Sequence, residues 1–436
     1  MKVALTWREK LSYGFANFGI NLPFGLTNAF LLYYYTDVYG VDAGTVGTLF
    51  LIARGVDALI DPLIGLAIDR TDSRWGKHRP WLLMVAVPFA ACSVLVFWAP
   101  PLDGMAKIAF IFGSYTLLGV LYSAASLPLN SMLPTLTRDP KQRNTLNALR
   151  EFLGSGGTVG IGYLALPLVA RFGGADQQEG FFVLSIVLGA ITIAAMVNAF
   201  VNTRERVDVD HGPARLTTGQ SLSATRGNWP WVATMLINFF FWVGFTAHVQ
   251  GFIFYAEKLM GDASLTSDLM LTMLATLGGI AVAGVIANTI GKRATGAIGA
   301  VLAVAFTCAI PFGETTAWLM ATNALAYLGL GLIGGLLFSF MADAVDYGES
   351  LSGFRAQGFL FAASSFGVKL GMSIGGAAGA WLLDAADYDP AAVVTPAVSD
   401  AIVAGHIWLP AASFALMGIS IALFRMRPIT PGEIRQ

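Results

Sequence analysis

Charged residues are scarce in this chain of 436 residues, because Asp, Glu, Lys and Arg make up only 12% of it. Soluble domains contain about 25%. Apolar residues make up 56%, and the mean hydropathy is +0.66. This composition is typical of a polytopic α-helical membrane protein. A transmembrane barrel is not indicated, because its alternating segments of about ten residues are absent.

Cysteine and histidine are also rare, with two and four residues. Both cysteines, Cys92 and Cys308, lie inside apolar runs, which favours packing over a disulfide or metal ligation. The histidines have no metal-ligand spacing, and no nucleophile–base pair or nucleotide-binding motif occurs. We therefore expect neither an enzyme nor a protein with a cofactor, a bound metal or a nucleic-acid partner.

Apolar runs long enough to cross about 30 Å of hydrocarbon fall into two groups of six. They lie near residues 12–35, 44–68, 80–99, 106–134, 148–171, 180–201, 230–256, 266–290, 295–311, 318–342, 356–383 and 401–424. This pattern predicts an all-α membrane protein with two pseudo-symmetric six-helix bundles, residues 1–201 and 230–436. A polar loop at 202–229 joins them.

Lys and Arg are distributed unevenly between the two sides of these spans. If the N-terminus is cytoplasmic, 20 of the 26 lie on the cytoplasmic side and three lie opposite, namely Lys107, Arg171 and Lys258. The positive-inside rule then predicts that both termini and the central loop are cytoplasmic. We expect a bacterial-type inner membrane as the location.

Two aspartates, Asp57 and Asp61, interrupt the second apolar run. An ionised carboxylate at mid-membrane costs at least about 2.5 kcal/mol, so the pair needs a reason to be there. Residues four apart share one helix face, and like charges that close cannot both ionise cheaply. The pair is therefore predicted to hold one cation or proton. The alternative is a structural pair neutralised by Arg54, one turn earlier.

Glycine-rich tracts at 154–162 and 371–379 lie inside two of the predicted spans. Small residues let the backbones of membrane helices approach closely. We expect these tracts to be packing surfaces, and they do not have the pattern of a phosphate-binding loop.

Several motifs lie along nearly the whole chain. They are KLSYGFANFG at 10–19, RGVDALIDPLIG at 54–65, SRWGKHRPW at 73–81, the segment 127–150, and ADAVDYGE at 342–349. In this order they resemble the glycoside–pentoside–hexuronide:cation symporters, the melibiose-permease branch of the major facilitators. The resemblance implies a major-facilitator fold of twelve transmembrane helices, with the substrate bound near mid-membrane between the two halves.

The resemblance also implies that Asp57 and Asp61 bind the coupling cation. Ser123 in the fourth run is a candidate for one further oxygen ligand. Sodium-using members have a polar residue just before the second aspartate, where this chain has Ile60. Na⁺ requires several oxygen ligands, whereas a proton requires only a carboxylate. We therefore expect H⁺ rather than Na⁺ as the coupling ion.

In melibiose-type members, carboxylates on the first and fourth helices and a nearby tryptophan hold the sugar. The corresponding residues here are Asn21, Ser126 and Asn130. Amides can donate to and accept from sugar hydroxyls, so a sugar site is expected, but galactoside specificity is not implied. The alternative role of these residues is hydrogen bonding between helices.

Three further residues match or adjoin family positions near the sugar and the cation. Arg150 is expected at the sugar site, although a structural pair with Glu151 is the alternative. Lys369 is expected to contact the substrate and to respond to the charge of the aspartate pair, since a lone lysine in a glycine-rich span rarely faces lipid. Ser365, one turn before it, is a further substrate candidate.

A group of cytoplasmic charges is predicted to latch the two halves together when the outside is open. Its members are Arg143, Asp343, Asp346 and Arg355. Topology signalling is the alternative role for the arginines, whereas topology does not require acidic residues at this face.

These features predict a cation-coupled sugar or glycoside symporter that works by alternating access. Its partners would be the sugar, the cation and the bilayer, and it would function as a monomer. Two alternatives remain open at this point. One is a lysolipid carrier on the same fold, because the sugar-binding carboxylates are missing; the other is a membrane sensor that does not transport.

Overall fold

The computed structural model describes residues 5–137, 139–206, 225–313, 315–353 and 357–425. Residue contacts divide the chain into two compact units, Met1–His211 and Gly212–Gln436. Most of the predicted central loop at 202–229 lies outside the described residues, and so does the predicted gate residue Arg355.

The described residues of unit 1 form six α-helices, and each coincides with one predicted apolar run. They are α1 (Trp7–Tyr33), α2 (Ala43–Asp69), α3 (Arg79–Leu95), α4 (Gly104–Leu136), α5 (Pro140–Gly173) and α6 (Gln177–Asn202). A π-helical turn, Tyr34–Val38, extends α1. The main difference from the prediction is at α5, which begins well before the expected start at residue 148.

Unit 2 also follows six predicted runs, but several of its helices are interrupted. The α-helices among its described residues are α7 (Trp229–Phe254), α8 (Leu265–Thr272), α9 (Ala275–Ile290), α10 (Lys292–Ala309), α11 (Thr316–Gly334), α12 (Leu337–Ser352), α13 (Gln357–Ala385), α14 (Pro396–Val403) and α15 (Leu409–Leu423). A π-helical turn, Tyr255–Leu259, follows α7, and another, Ala404–Trp408, joins α14 to α15.

The architecture confirms the prediction of an all-α membrane protein with twelve spans. Every predicted run lies on a helix or on a helix pair joined by a short break. Among the described residues, nine helical segments are long and apolar enough to cross a membrane. The interruptions were not predicted, because hydropathy reports the length of an apolar run and not the continuity of its hydrogen bonds.

The glycine-rich tracts are sites of close helix packing, as expected. A Cβ atom added at Gly157 of α5 would lie 2.9 Å from the carbonyl oxygen of Phe18 in α1. One added at Gly375 of α13 would lie 2.3 Å from the carbonyl oxygen of Val243 in α7. Both distances are too short for a side-chain atom, so these backbone approaches require glycine.

The segment after α6 joins the ends of several helices in unit 1. The backbone N–H of Arg206 donates to the carbonyl oxygen of Thr135 near the end of α4, at 2.9 Å. Its guanidinium pairs with Glu9 in the first turn of α1. This short segment therefore connects α1, α4 and α6 at one end of the bundle.

The carboxylate of Glu205, in the same segment, lies at the start of α3 and binds its first backbone N–H groups. Its carboxylate accepts hydrogen bonds from the backbone N–H groups of Lys77, His78 and Arg79 at 3.2, 2.8 and 3.0 Å, and His78 Nδ1 lies 3.0 Å from Oε2. Gly76 has φ +100°, and a Cβ there would lie 2.4 Å from Glu205 Oε1. The SRWGKHRPW motif thus forms a carboxylate-binding turn, a partnership that the sequence analysis missed.

The hydrogen bonds at this turn determine the protonation of Glu205. Burial raises the pKa of this carboxyl, but the bonds from the His78 ring and from the backbone of Arg79 and His78 outweigh burial. Together they lower the pKa from its ordinary value of 4.5 to about 2. Glu205 therefore remains ionised and bonded well into the acidic range.

We predict that Glu205→Gln lowers the midpoint of thermal unfolding by a few degrees, because charge-assisted bonds to three backbone donors are weakened. The stabilisation by the native carboxylate is fully present above pH 4.5 and disappears as the pH falls toward about 2, where the folded carboxylate protonates. Thermal unfolding of the purified protein between these pH values measures both effects. The control is Glu179→Gln, an exposed residue in the first turn of α6; an equal loss in both variants would contradict the prediction.

Candidate functional site

Helix α2 carries the two aspartates on its protein-facing side. Asp57 is only 1% exposed, and Asp61 is partly buried. Leu59 and Leu63, on the opposite face of the helix, are 72% and 62% exposed. The apolar face of α2 therefore suits lipid, while its carboxylates face other helices of unit 1.

The buried carboxylate of Asp57 connects α2 to α4. The hydroxyl of Ser123 in α4 donates to Asp57 Oδ1 at 3.1 Å. Arg54 lies one turn before Asp57, with its Nη1 atom 4.0 Å from Asp57 Oδ2. The guanidinium is held there by Tyr115 of α4, whose hydroxyl accepts from Arg54 Nε at 3.1 Å. The predicted cation-site residue Ser123 and the predicted charge partner Arg54 are thus both beside Asp57.

Gly119 makes room for Asp57 against α4. A Cβ atom added at Gly119 would lie 3.3 Å from Asp57 Cγ. A small cavity of about 20 Å³ adjoins Gly119, Arg54 and Tyr115, and Thr27 of α1 also lines it. A cavity of this size holds about one water molecule. The Asp57 region is therefore tightly packed, with space for one small occupant nearby.

The donor set around Asp57 suits a proton or a monovalent cation. It offers carboxylate oxygens and one hydroxyl, with a guanidinium at 4.0 Å. Within the part of the chain that the structure describes, no group of three or more His, Cys, Asp or Glu could hold a metal ion.

A second polar cluster joins α4 to α5. The guanidinium of Arg150 donates to Asn130 Oδ1 and also pairs with the carboxylate of Glu151. Ser123, Ser126 and Asn130 are spaced by three and four residues, so all three lie on one face of α4. The structural pair with Glu151 is therefore present, and Arg150 also contacts a predicted sugar residue; its role in sugar binding remains a prediction.

The amide of Asn21 belongs to a hydrogen-bonded chain between α1 and α5. Its Nδ2 atom donates to the carbonyl oxygen of Asn17 at 2.8 Å. Asn17 Nδ2 in turn donates to the carbonyl oxygen of Arg150 at 2.9 Å. The structure therefore brings Asn21 and Arg150 into one network through Asn17.

Sequence reasoning missed three residues of this region, namely Asn17, Tyr115 and Gly119. The i, i+4 spacing of Asn17 and Asn21 in and after the KLSYGFANFG motif was a usable signal. For Tyr115 and Gly119 the sequence contained no usable signal, because a tyrosine or glycine in an apolar run is most simply explained by packing.

The predicted substrate residues Lys369 and Ser365 belong to unit 2. Lys369 is a half-buried residue of α13, and its carbonyl oxygen accepts from the Ser373 hydroxyl at 2.8 Å. Ser365, one turn earlier, is exposed. Their contribution to a site with unit 1 remains a prediction.

The described residues of the predicted cytoplasmic latch are Arg143 in unit 1 and Asp343 and Asp346 in unit 2. Arg143 and Asp343 each contact a residue of the same unit. Arg143 Nε donates to the carbonyl oxygen of Thr137 at 2.7 Å, after the end of α4. Asp343 of α12 pairs with Lys292 of α10 at 2.7 Å. Asp346 is exposed. A latch between the units remains a prediction.

Comparison with known proteins adds independent information on family. A family model described as MFS/sugar transport protein matches residues 12–427. The chain is similar to an isoprimeverose transporter of Lactiplantibacillus pentosus, with 37% identity over 99% of this chain and 91% of the relative. It is 31% identical to a putative glycoside/cation symporter of Escherichia coli (strain K12), over 97% of this chain and 92% of that protein.

Solved structures support the fold. The crystal structure of a point mutant of a nucleoside transporter aligns with a TM-score of 0.71, covering 96% of this chain and 100% of the other at 12% identity. A bacterial homologue of the human lysosomal transporter Spinster aligns with a TM-score of 0.70, covering 96% and 95% at 13% identity. At such identities the likeness concerns the fold alone.

We predict that Gly119→Ala lowers the thermal unfolding midpoint, because the new methyl group would press on the buried carboxyl of Asp57. Gly113→Ala, on the same helix, is the matched control, since a Cβ there meets nothing within 4 Å. The control should be neutral or slightly stabilising, as alanine favours a helix. Equal midpoints for the two variants would show that the space beside Asp57 is not tight.

Proposed function

The chain belongs to the MFS/sugar transport protein family, and from that premise we propose that it is a proton-coupled glycoside symporter that works by alternating access. The family that the motifs indicated is thereby confirmed, and this family consists of transporters and not enzymes. Support for the substrate class comes from the relatives, which include an isoprimeverose transporter and a putative glycoside/cation symporter.

The proposed cation site is the carboxylate pair Asp57 and Asp61. The observation that carries the proposal is the burial of Asp57, which is 1% exposed beside the Ser123 hydroxyl. A buried ionisable group in a membrane helix is costly and is typical of an ion or proton pathway. Arg54 lies 4.0 Å away but is bonded to Tyr115, so it moderates the negative charge without closing a tight ion pair.

The oxygen ligands available near Asp57 and Asp61 favour a proton over Na⁺ as the coupling ion. Sodium binds through several oxygen ligands, and the residue before Asp61 is Ile60, whose side chain has none to offer. Protonation needs only a carboxylate and removes the like-charge repulsion of the pair. The Ser123 hydroxyl beside Asp57 is a further oxygen ligand for a metal cation. Its removal should therefore impair coupling to Na⁺ but not coupling to a proton.

The proposed sugar-binding groups in unit 1 are Asn130, Arg150 and Asn21, with Ser126 on the same face of α4. Their support is the network in which Arg150 contacts Asn130 and, through Asn17, approaches Asn21. Amides and a guanidinium offer the donors and acceptors that sugar hydroxyls require. Lys369 and Ser365 are the proposed contribution of unit 2.

Helix α4 gives the proposal a physical route for coupling. Ser123 touches the cation site, and Asn130 lies seven residues later on the same helix, which corresponds to about 10 Å of rise. If sugar and proton both favour the same occluded state, each increases the affinity for the other. A membrane potential of 100 mV supplies about 2.3 kcal/mol per proton, enough for roughly 50-fold accumulation of sugar.

The chain is an integral membrane protein, and we propose that it resides in an inner membrane with both termini in the cytoplasm. The uneven distribution of Lys and Arg supports this orientation. The proposed functional form is a monomer. In this orientation the proposed latch residues Arg143, Asp343 and Asp346 face the cytoplasm.

The test is uptake of labelled glycosides into proteoliposomes under a separately imposed proton or sodium gradient. The panel includes isoprimeverose and a glucuronide, because an isoprimeverose transporter and a glucuronide carrier homologue are among the relatives. We expect the proton gradient to drive accumulation, and both Asp57→Asn and Asp61→Asn to abolish it, since an amide cannot release the proton. Asp103→Asn, at an exposed position before α4, should accumulate sugar normally.

Each other outcome of that experiment has a definite meaning. Uptake driven by sodium alone would refute proton coupling and retain the symporter. Normal proton-driven uptake in both Asp57→Asn and Asp61→Asn would refute the assignment of the cation site. The absence of glycoside uptake under either gradient would favour the lysolipid carrier or the sensor.

A second prediction concerns Ser123→Ala. If a proton couples transport, the variant retains proton-driven accumulation within a few-fold, because the carboxylates remain. If Na⁺ were the ion, loss of this oxygen would weaken sodium-driven uptake strongly. Ser114→Ala is the matched control, since its buried hydroxyl donates within α4 to the carbonyl oxygen of Ile111. The measurement is initial uptake rate against the concentration of each ion.

A further inference from the structure

Two fully buried histidines face each other in unit 2. His248 of α7 is 1% exposed, and His406 of the π-helical turn Ala404–Trp408 is 0% exposed. Their rings stack with centroids 4.4 Å apart and planes within 2°. The close approach requires glycine at position 251, where a Cβ would lie 2.7 Å from His406 Nδ1. This pair plays no part in the proposed cation site of unit 1.

Reciprocal hydrogen bonds fix the tautomers of both rings. His248 Nδ1 lies 2.8 Å from the carbonyl oxygen of His406, and His406 Nδ1 lies 3.0 Å from the carbonyl oxygen of His248. A carbonyl oxygen can only accept, so each Nδ1 must carry a proton. In a neutral imidazole, Nε2 would then be an acceptor with a lone pair.

The atom that faces His248 Nε2 is an acceptor, so this nitrogen is positioned to donate a hydrogen bond. The atom 2.9 Å away is Asn323 Oδ1 of α11, an acceptor. Asn323 is itself held in this orientation, because its Nδ2 donates to the carbonyl oxygen of Leu319 at 2.9 Å. Turning the amide over would place Oδ1 against that carbonyl oxygen. Both nitrogens of His248 therefore face acceptors, which is the geometry of an imidazolium.

The groups that face the rings are aromatic and uncharged. Phe252 and Tyr327 pack against His248, and Tyr255 packs against His406. Helix α7 itself has no Asp, Glu, Lys or Arg. The charged side chains on the elements packed around α7 and the π-helical turn are Glu257, Lys258, Asp268, Lys292, Arg293, Asp343, Asp346, Glu349, Lys369, Asp384 and Asp400.

We propose that His248 is a proton-binding site in unit 2, with the bound proton on Nε2 donated to Asn323 Oδ1. Burying an imidazolium is costly unless its donors are satisfied. Here both donors meet oxygen acceptors, the carbonyl oxygen of His406 and Asn323 Oδ1. Proton uptake at this site forms one N–H bond and requires no redox partner or leaving group.

The bound proton links three elements of unit 2. With it, His248 bonds the π-helical turn through one nitrogen and α11 through the other. Without it, His248 Nε2 and Asn323 Oδ1 are two acceptors that face each other, and the side-chain contact between α7 and α11 weakens. A π-helical turn inside a longer helix is often found at a functional site. The site thus makes the packing of α7, α11 and the turn depend on pH, independently of Asp57.

The test is nitrogen NMR of the full-length protein labelled with ¹⁵N-histidine, recorded through a pH titration. The chain has four histidines, so the His248 signals are assigned by their loss in His248→Gln. We expect the His248 ring to show protons on both nitrogens at low pH and to lose the Nε2 proton in a single step as the pH is raised. A ring that stays neutral, with its only proton on Nδ1, throughout the titration would overturn the proposal.

Substitutions of Asn323 test the acceptor. Asn323→Leu should move the midpoint of the His248 titration down by about one pH unit or more, and Asn323→Asp should move it up. The matched control is Asn238→Leu, because Asn238 is also buried and also bonds the carbonyl oxygen four residues earlier. Midpoints that do not respond to either Asn323 variant would overturn the proposal. If the leucine variant does not fold, the aspartate variant decides alone.

Discussion

The buried carboxylate of Asp57 is the constraint on which the arrangement of unit 1 depends. Its helix faces lipid on one side, so every compensation for its charge must come from neighbouring helices. Ser123 supplies a hydrogen bond, Tyr115 fixes Arg54 nearby, and Gly119 leaves the space. All of these compensating groups lie on α4 or are positioned by it. The packing of α2 on α4 is therefore inseparable from the chemistry of the carboxylate.

The same helix relates this site to the polar cluster around Arg150. The resemblance to melibiose-type members implies sugar-binding carboxylates at positions where this chain has the amides and the hydroxyl of Asn21, Asn130 and Ser126. Arg150 adds a cationic donor to this cluster, which bonds Asn130 and pairs with Glu151. Removing the carboxylates lowers the negative charge near the proposed sugar site and leaves Asp57 and Asp61 as the main acidic pair within the described spans of unit 1. A sugar site built on amides would discriminate by hydroxyl geometry more than by charge.

Unit 2 solves the problem of buried polar groups in a different way. Where unit 1 combines carboxylates with a guanidinium and hydroxyls, unit 2 stacks two imidazoles and bonds each to the backbone of the other. The π-helical turn that carries His406 widens the helix at this point. Hydropathy patterns do not reveal such a turn, because the composition of the segment is that of any apolar span.

The sequence by itself determined the twelve spans, the family and the choice of Asp57 and Asp61, because lipid requires long apolar runs and makes every charge within them conspicuous. It also proposed Arg150 for the sugar site, through motifs that lie in a characteristic order, and Ser123 as a further oxygen donor in the fourth span. Only the tertiary structure decided that Tyr115 holds Arg54, that Glu205 binds the start of α3, and that His248 stacks on His406. Each of these contacts joins residues from separate helices or turns. Their pairing depends on how those segments rotate and cross, and hydrophobic periodicity along one segment does not contain that information.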